Sequence, residues 1–345
     1  KSKSAIFELT ESDPEIAHEM FVRLARGIHR LGFEELLLDC SENNHGPGFE
    51  ISNAAGFNKD GKIPPTFLKY LGFDRVVVGT VTGESYEGSP RPRIKRYSET
   101  RSMVNWMALP GAGAEEVAEN LRFYGDHSVP ITINLMSTPG KEGQDLLKDL
   151  EKTILLTRNV PFVNRYEINI SCPNTHGSSG RRDTRREYKD QLSEILLVVF
   201  DASYDHQEIW IKVSPDQDIN GIRDTTQTSE DIRISEGCEV EGFVIGNTTT
   251  RYNPRFITSP PNQEKKGGAS GNAVYGKSID VQELFCNEIK GLDLNYKIIA
   301  CGGINSAKKA LERTKYGDEI IEGMQLYTGL IYEGPKLLRE LRMAV

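Results

Sequence analysis

Eight short apolar runs rich in β-prone residues recur along the chain: Ile51–Phe57, Val76–Thr82, Ile131–Leu135, Tyr166–Ser171, Ile209–Ser214, Gly242–Asn247, Lys297–Ile304 and Gly323–Thr328. Most place apolar residues consecutively rather than in alternation, the pattern of strands buried on both faces. Between them, Leu146–Leu156, Tyr188–Phe200 and Val281–Ile289 carry apolar residues at helical spacing, and Ser306–Arg313 is built of strong helix formers. Strand–helix alternation repeated eight times predicts an α/β protein whose parallel strands close into a (β/α)8 TIM barrel. A doubly wound open sheet is the rival arrangement. It gathers its ligand groups near one switch point, whereas here polar residues follow nearly every run. A chain of 345 residues with 37% hydrophobic content can fill one such barrel.

Lys and Arg number 42 against 50 Asp and Glu, a net charge of −8, so broad nucleic-acid binding is not expected. The five cysteines, Cys40, Cys172, Cys238, Cys286 and Cys301, are odd in number and widely spaced. They suggest neither a disulfide framework nor a C-x-x-C metal site, and they fit a reducing compartment. No His, Asp or Glu cluster has metal-ligand spacing, and no run approaches the ~18–20 apolar residues of a membrane span.

Two segments exceed the simple repeat. Residues 83–112, rich in Gly, Pro and Arg, read as an insertion after the second strand, and residues 248–275 as a long polar loop after the sixth. Loops of this length are usually lids or binding loops. Residues 1–45 read as a helical extension and linker ahead of a barrel over 46–345. Asp13 is placed to cap a helix, with Pro14 at its first position and Gly32 at its stop. The apolar stripe Ile16, Met20, Phe21, Leu24 and Ile28 is flanked by Arg23, Arg26 and Arg30. Such a helix either covers the barrel or lies at a membrane interface and admits an apolar electron acceptor.

Barrel enzymes place their chemistry where strands end. In order, the strand ends carry Asn53–Gly61 with Lys59, Gly79–Thr82, Asn134, Asn169–Asn174 with Cys172, Lys212–Asp216, Gly246–Thr249, Cys301–Asn305 and Tyr327–Gly329. Gly-rich backbone after the last two strands suits a phosphate. Asn and Thr groups suit the amides and carbonyls of a flat heterocycle, and two lysines suit an anionic substrate and an anionic reduced cofactor. There is no Walker lysine motif and no strand-linked G-x-G-x-x-G, so a phosphate-tethered flavin fits better than an adenine dinucleotide.

From about residue 5 to the end, the chain resembles the dihydroorotate dehydrogenase family. The resemblance lies in NAAGFNKDG (Asn53–Gly61), GTVT (Gly79–Thr82), GSPRPR (Gly88–Arg93), NISCPNT (Asn169–Thr175), KVSPD (Lys212–Asp216), NTT (Asn247–Thr249), GGASG (Gly267–Gly271), GGI (Gly302–Ile304) and YTGLIYEGP (Tyr327–Pro335). It implies a barrel that binds FMN and oxidises (S)-dihydroorotate to orotate in de novo pyrimidine (UMP) synthesis. Carried over by residue, it implies FMN contacts from Ala55, Gly56, Thr80, Asn134, Asn169, Lys212, Gly246, Gly271, Gly303, Tyr327 and Thr328. Gly246 stands where many relatives have Thr, so its contact would be through backbone. Lys59, Asn105, Trp106, Met107, Ala108, Leu109, Asn174, Asn247 and Thr248 would hold the substrate, and Cys172 would be the general base.

The family has a membrane-associated, quinone-reducing class (class 2), which has an N-terminal helical extension and usually a Ser base. It also has a soluble class (class 1), which usually has a Cys base and uses fumarate or NAD. Asp13–His18 and Tyr327–Pro335 resemble the quinone class, whereas Cys172 and Asn105–Pro110 resemble the soluble class. An acceptor is selected by a whole access element, while Ser and Cys are neighbouring solutions for one proton. The expectation is therefore quinone, reached by peripheral contact of the N-terminal helix with the cytoplasmic face of an inner membrane, or the inner mitochondrial membrane of a eukaryote. The alternatives are fumarate or NAD as oxidant in the cytoplasm, and another FMN barrel oxidoreductase.

Overall fold

Branched apolar side chains give this chain strands that must be covered on both faces, and helices supply the outer cover. The structure is a computed structural model describing residues 13–34, 49–125, 128–170, 185–259, 267–317 and 319–345. Numbered in chain order, the parallel sheet is built from β1 (Glu50–Asn53), β2 (Val76–Val81), β5 (Ile131–Leu135), β6 (Val163–Asn169), β7 (Glu208–Val213), β8 (Gly242–Ile245), β10 (Lys297–Cys301) and β11 (Ile321–Leu326). The sheet has 8 strands, and every expected run contributes one. Around it lie α2 (Pro65–Leu71), α3 (Ala114–Phe123), α4 (Gly143–Thr157), α5 (Arg185–Ala202), α6 (Ile219–Glu236), α7 (Asn272–Gly291), α8 (Ala307–Lys315), α9 (Thr328–Glu333) and α10 (Lys336–Arg342), with α1 (Pro14–Leu31) ahead of the barrel.

Strands pair in the order β1-β11-β10-β8-β7-β6-β5-β2, so closure needs β1 to meet β2. This seam carries single bridges, Ser52 to Arg75 and Asn58 to Val78, rather than a ladder. The Asn53 side chain fills the gap. Its Nδ2 donates to the Val77 carbonyl at 2.6 Å and its Oδ1 accepts from the Val77 amide at 3.1 Å. One primary amide thus takes the place of a backbone pair and spares both groups a buried, unpaired state. The N-terminal mouth is plugged by charge. Glu50 accepts from Arg75 Nε at 2.6 Å and from Arg165 at 3.0 Å, and Arg165 Nε also reaches Glu208 at 2.6 Å. The Arg165 guanidinium lies over the fully buried Trp210 ring.

The two long insertions are one structure. Residues from the first form β3 (Ile94–Tyr97) and β4 (Ser102–Asn105), and residues from the second form β9 (Gly268–Gly271). The three strands pair antiparallel in the order β3-β4-β9. Gly271 then leads directly into α7, so the second polar segment ends as strand and helix.

Helix α1 begins and ends where its capping residues dictate. Asp13 accepts from the Glu15 amide, Pro14 opens the first turn, and Gly32 closes the helix in the left-handed region at φ 68°. Its apolar stripe divides. Ala25 is buried and Phe21, Val22 and Ile28 pack on the core, while Ile16, Met20 and Leu24 are exposed. A buried ion pair, Glu15 to Arg93 Nε at 3.0 Å, anchors the helix to the segment leading into β3. The remainder of the expected 1–45 extension, residues 1–12 and 35–45, lies outside the described residues.

Candidate active site

The C-terminal strand ends and the β3-β4-β9 sheet enclose a cavity with about 1190 Å³ of empty space, part of it open to solvent. Of the residues expected to face a flavin, Ala55, Gly56, Thr80, Asn169, Lys212, Gly271, Gly303, Tyr327 and Thr328 line it. Of those expected to face the substrate, Lys59, Asn105, Met107, Leu109, Asn247 and Thr248 line it. Four expected residues are not in the wall: Asn134, Trp106, Ala108 and Gly246. Asn134 is fully buried and donates to Glu167 at 2.6 Å. Gly246 packs toward Ser278, Pro215 and the Cys301 carbonyl. Cys172 and Asn174 lie outside the described residues.

Strand pairing explains why distant residues meet. Asn169 ends β6 directly beside Lys212 on β7. Asn169 donates to Thr80 Oγ1 at 3.2 Å and accepts from Asn247 Nδ2 at 3.1 Å, so one amide chain links the ends of three strands. Asn247 also accepts from the Thr248 amide at 2.8 Å. From the cap, Ser270 accepts from Thr328 Oγ1 at 2.9 Å and so joins β9 to the loop after β11.

Beneath this wall lies a buried polar network that the motifs did not reveal. Lys212 Nζ is 3.1 Å from Glu167 Oε1 and 2.8 Å from Gln325 Oε1. Gln325 donates to the other Glu167 oxygen at 2.5 Å. Burial opposes the Lys212 charge, but the Glu167 carboxylate outweighs it, and the ammonium is held above its usual range. Lys212 is therefore protonated at neutral pH. Gln325 belongs to the cavity wall, as do Ile94 and Met103, none of which was expected there; Ser270 and Cys301, which lie in the segments read from sequence but were assigned no contact, line it too.

Lys59 is set differently. Burial pushes its ammonium down to about 8, with Arg93 and Arg91 adding to the fall and Glu15 and Asp60 opposing it. Its Nζ lies 3.2 Å from Met107 Sδ. Such a lysine is a cation at neutral pH and can lose its proton just above it.

A second cavity lies between α1 and the barrel rim. Pro14, Glu15, His18, Phe21 and Val22 form one side, and Phe57, Leu330, Ile331 and Pro335 form another. Lys59, Ile94, Met103, Met107, Pro110 and Tyr327 line both cavities, so the two meet. The Phe57 ring stands edge-on to Phe21 and Tyr327 at 5.6 Å in each case, an aromatic chain running from α1 to the inner cavity. Burial, aided by Lys59, pushes His18 down to about 4, so this histidine is neutral at physiological pH.

Comparison with known proteins agrees with this geometry. The family model for dihydroorotate dehydrogenase matches residues 46–344. A dihydroorotate dehydrogenase (quinone) from Natronomonas pharaonis is 31% identical over 98% of this chain and 91% of the relative. One with the same name from Thermosynechococcus vestitus is 31% identical over 97% of this chain and 92% of the relative. The crystal structure of DHODH from Eimeria tenella in complex with ferulenol shares the fold, with a TM-score of 0.77 at 22% identity over 99% of this chain and 94% of that one. With the family model spanning the whole barrel, this chain belongs to the dihydroorotate dehydrogenase family.

Proposed function

We propose that the chain oxidises (S)-dihydroorotate to orotate with FMN as its resident cofactor, a step of de novo pyrimidine synthesis, and that a quinone takes the electrons. The observation that carries this reading is the convergence of Lys59, Asn105, Asn169, Lys212 and Asn247 on one cavity at the C-terminal strand ends. A cyclic ureide carboxylate such as dihydroorotate calls for a cation and amide groups set around it, and Lys59, Asn105 and Asn247 would supply them, with Asn174 as a further partner.

The residues fit a phosphate-tethered flavin. Gly303 and Gly271 line the cavity with backbone alone, and both positions are held to glycine, because a Cβ on Gly303 would come within 2.6 Å of Tyr275 Cβ and one on Gly271 within 2.3 Å of the Arg101 carbonyl. Asn134 keeps a buried oxygen with no partner among the described residues. Ala55, Gly56 and Thr80 would flank the ring, and Tyr327 and Thr328 would stand at the phosphate end. FMN, when bound, supplies a hydride acceptor for C6 of the substrate. The chain does the rest. Cys172 takes the proton from C5 as general base, and because a free thiol titrates at about 8.5, turnover climbs with pH toward that region. Lys212, kept protonated by Glu167, offers fixed positive charge to a ring that gains electrons. Met107 and Leu109, in the segment after β4, would help to close the substrate against the wall.

The cavity between α1 and the rim supports a quinone as acceptor, because its aromatic and apolar wall runs into the inner cavity. The quinone named in the relatives points the same way. Residues 1–45 would form the access element and 46–345 the FMN-binding barrel. The exposed Ile16, Met20 and Leu24 suit α1 to peripheral contact with the cytoplasmic face of an inner membrane, or with an inner mitochondrial membrane. No helix among the described residues is long and apolar enough to cross a membrane. Acceptor profiling tests this. Steady-state rates with a short-chain quinone, fumarate and NAD are compared with and without detergent. The quinone should be fastest and respond to detergent. Faster turnover with fumarate or NAD would move the acceptor to the soluble kind that Cys172 resembles.

A further inference from the structure

Arg313 is a buried charge held by carbonyl oxygens. It sits on α8, is fully buried, and forms an ion pair with no carboxylate among the described residues. Its Nε donates to Gln282 Oε1 at 2.5 Å. The rest of the guanidinium faces carbonyls at the strand ends: Ile245 at 2.8 Å, Cys301 at 3.3 Å and Gly302 at 3.4 Å. One turn earlier on the same helix, Lys309 Nζ donates to the Gly303 carbonyl at 3.3 Å. Two cations of α8 therefore hold three consecutive carbonyls of the loop after β10.

Peptide geometry turns this into a statement about the opposite side of the loop. These peptide bonds are trans, and in a trans peptide the C=O and the following N–H point in opposite directions. Fixing the carbonyls of Cys301, Gly302 and Gly303 from behind aims the amides of Gly302, Gly303 and Ile304 the other way. All four residues line the active-site cavity. Among the described residues, no bond from the Gly302 or Gly303 amide to another protein group occurs. Gly302 and Gly303 hold φ of 106° and 76°, the left-handed region that a side chain would resist. Burial pushes the guanidinium down to about 10, so it still carries its charge at neutral pH behind a loop of outward amides.

We propose that Arg313, seconded by Lys309, is a positioning residue for the phosphate of FMN. It holds the Cys301–Ile304 loop so that its amides face the phosphate, and it places a positive charge behind them. The proposal rests on the FMN reading above. A residue that only stabilised the fold would affect every flavin alike. A phosphate-positioning residue affects FMN and spares riboflavin, which has the same ring and no phosphate.

The test is the dissociation constant of each flavin, read from quenching of flavin fluorescence on the deflavinated full-length chain, with folding checked by circular dichroism. Arg313→Gln should weaken FMN by about 10- to 100-fold, the range expected for lost charge-assisted hydrogen bonds, and riboflavin by less than about threefold. Arg313→Lys keeps the charge without the fork and should fall between. Equal losses for the two flavins, or no loss for FMN, would overturn the proposal. If Arg313→Gln does not fold, Arg313→Lys decides: the ratio of riboflavin to FMN dissociation constants should drop about threefold or more, and an unchanged ratio refutes. A wild-type chain that binds neither flavin would overturn the FMN reading itself, and this proposal with it.

Discussion

Replacing Glu167 by Gln removes one charge from the buried network under the active site and leaves its shape almost intact. Glu167 is fully buried, and its oxygen lies 3.1 Å from Lys212 Nζ. At an effective dielectric of about 20, a pair at that distance is worth about 5 kcal/mol. Breaking a buried pair from one side commonly costs about 3–5 kcal/mol, because the remaining charge stays buried. The Gln oxygen can still accept one hydrogen bond, which places the expected loss near the lower end, about 3 kcal/mol. The sign with pH follows from Lys212. In the wild type its folded pKa lies above the unfolded value of about 10.4, so its stabilisation is fully present below that pH and is lost as pH rises through the folded pKa. In the variant, burial loses its main opponent, Cys301 being the lesser one, and the folded pKa drops below the unfolded one. The unfolded state then binds more protons, and variant stability climbs with pH. The gap between the two proteins should be about 3 kcal/mol near pH 7 and shrink toward about pH 9.5. Denaturant unfolding of the flavin-free chain at the two pH values measures it. A gap below about 1 kcal/mol near neutrality, or one that widens with pH, would refute the reasoning.

Other consequences reach the remaining parts of the site. Because Lys59 titrates at about 8 in the free protein, orotate affinity should be flat below that pH and weaken about tenfold per unit above it, read by titration of the flavin spectrum. Gly303→Ala places a Cβ 2.6 Å from Tyr275 Cβ at a φ of 76°, and the purified protein should lose most of its bound flavin, read from the flavin-to-protein absorbance ratio. Cys172→Ala should retain flavin and slow its reduction by dihydroorotate by about 10²–10⁴-fold in stopped flow, and an unchanged rate would mean that another group is the base. Glu15→Gln breaks the buried pair with Arg93 that anchors α1; it should raise the quinone KM severalfold in steady-state assays, and because Glu15 also holds up the Lys59 ammonium, substrate binding should begin to weaken at a lower pH than in the wild type.

The barrel was legible because most of its strands contain consecutive apolar residues, and because Asp13, Pro14 and Gly32 mark the bounds of α1 so plainly. Helix α6 was not legible, for a chemical reason. Its buried face is mostly Thr and Ser, with Ile222 and Ile232 as its apolar residues. The hydroxyls of Thr225, Thr226, Thr228 and Ser229 are satisfied by the carbonyls one turn back, at 2.8, 3.1, 2.7 and 3.0 Å, so they can be buried without looking hydrophobic in sequence. The cap was misjudged in a similar way. Four-residue strands such as Ile94–Tyr97 are too short to show a period, and β9 contains Gly and Ser, so pairing between segments more than 160 residues apart was invisible locally. In the site, residues at strand ends announced themselves through recurrence. Glu167 and Gln325 did not: their strands also carry Asn164, Arg165 and Asn169 in one case and Glu322 in the other, so nothing local singled out the two that meet Lys212. Arg313 gave less warning still, since a basic residue on a polar helix normally faces water.

What the site does to its substrate can be read from the flavin itself. Dihydroorotate is added anaerobically, with no other acceptor, to the FMN-loaded chain. The oxidised flavin absorbance should disappear, with about one orotate formed per flavin, and it should return when quinone is admitted. A flavin that stays oxidised with dihydroorotate, yet is reduced readily by a chemical reductant, would contradict the central claim.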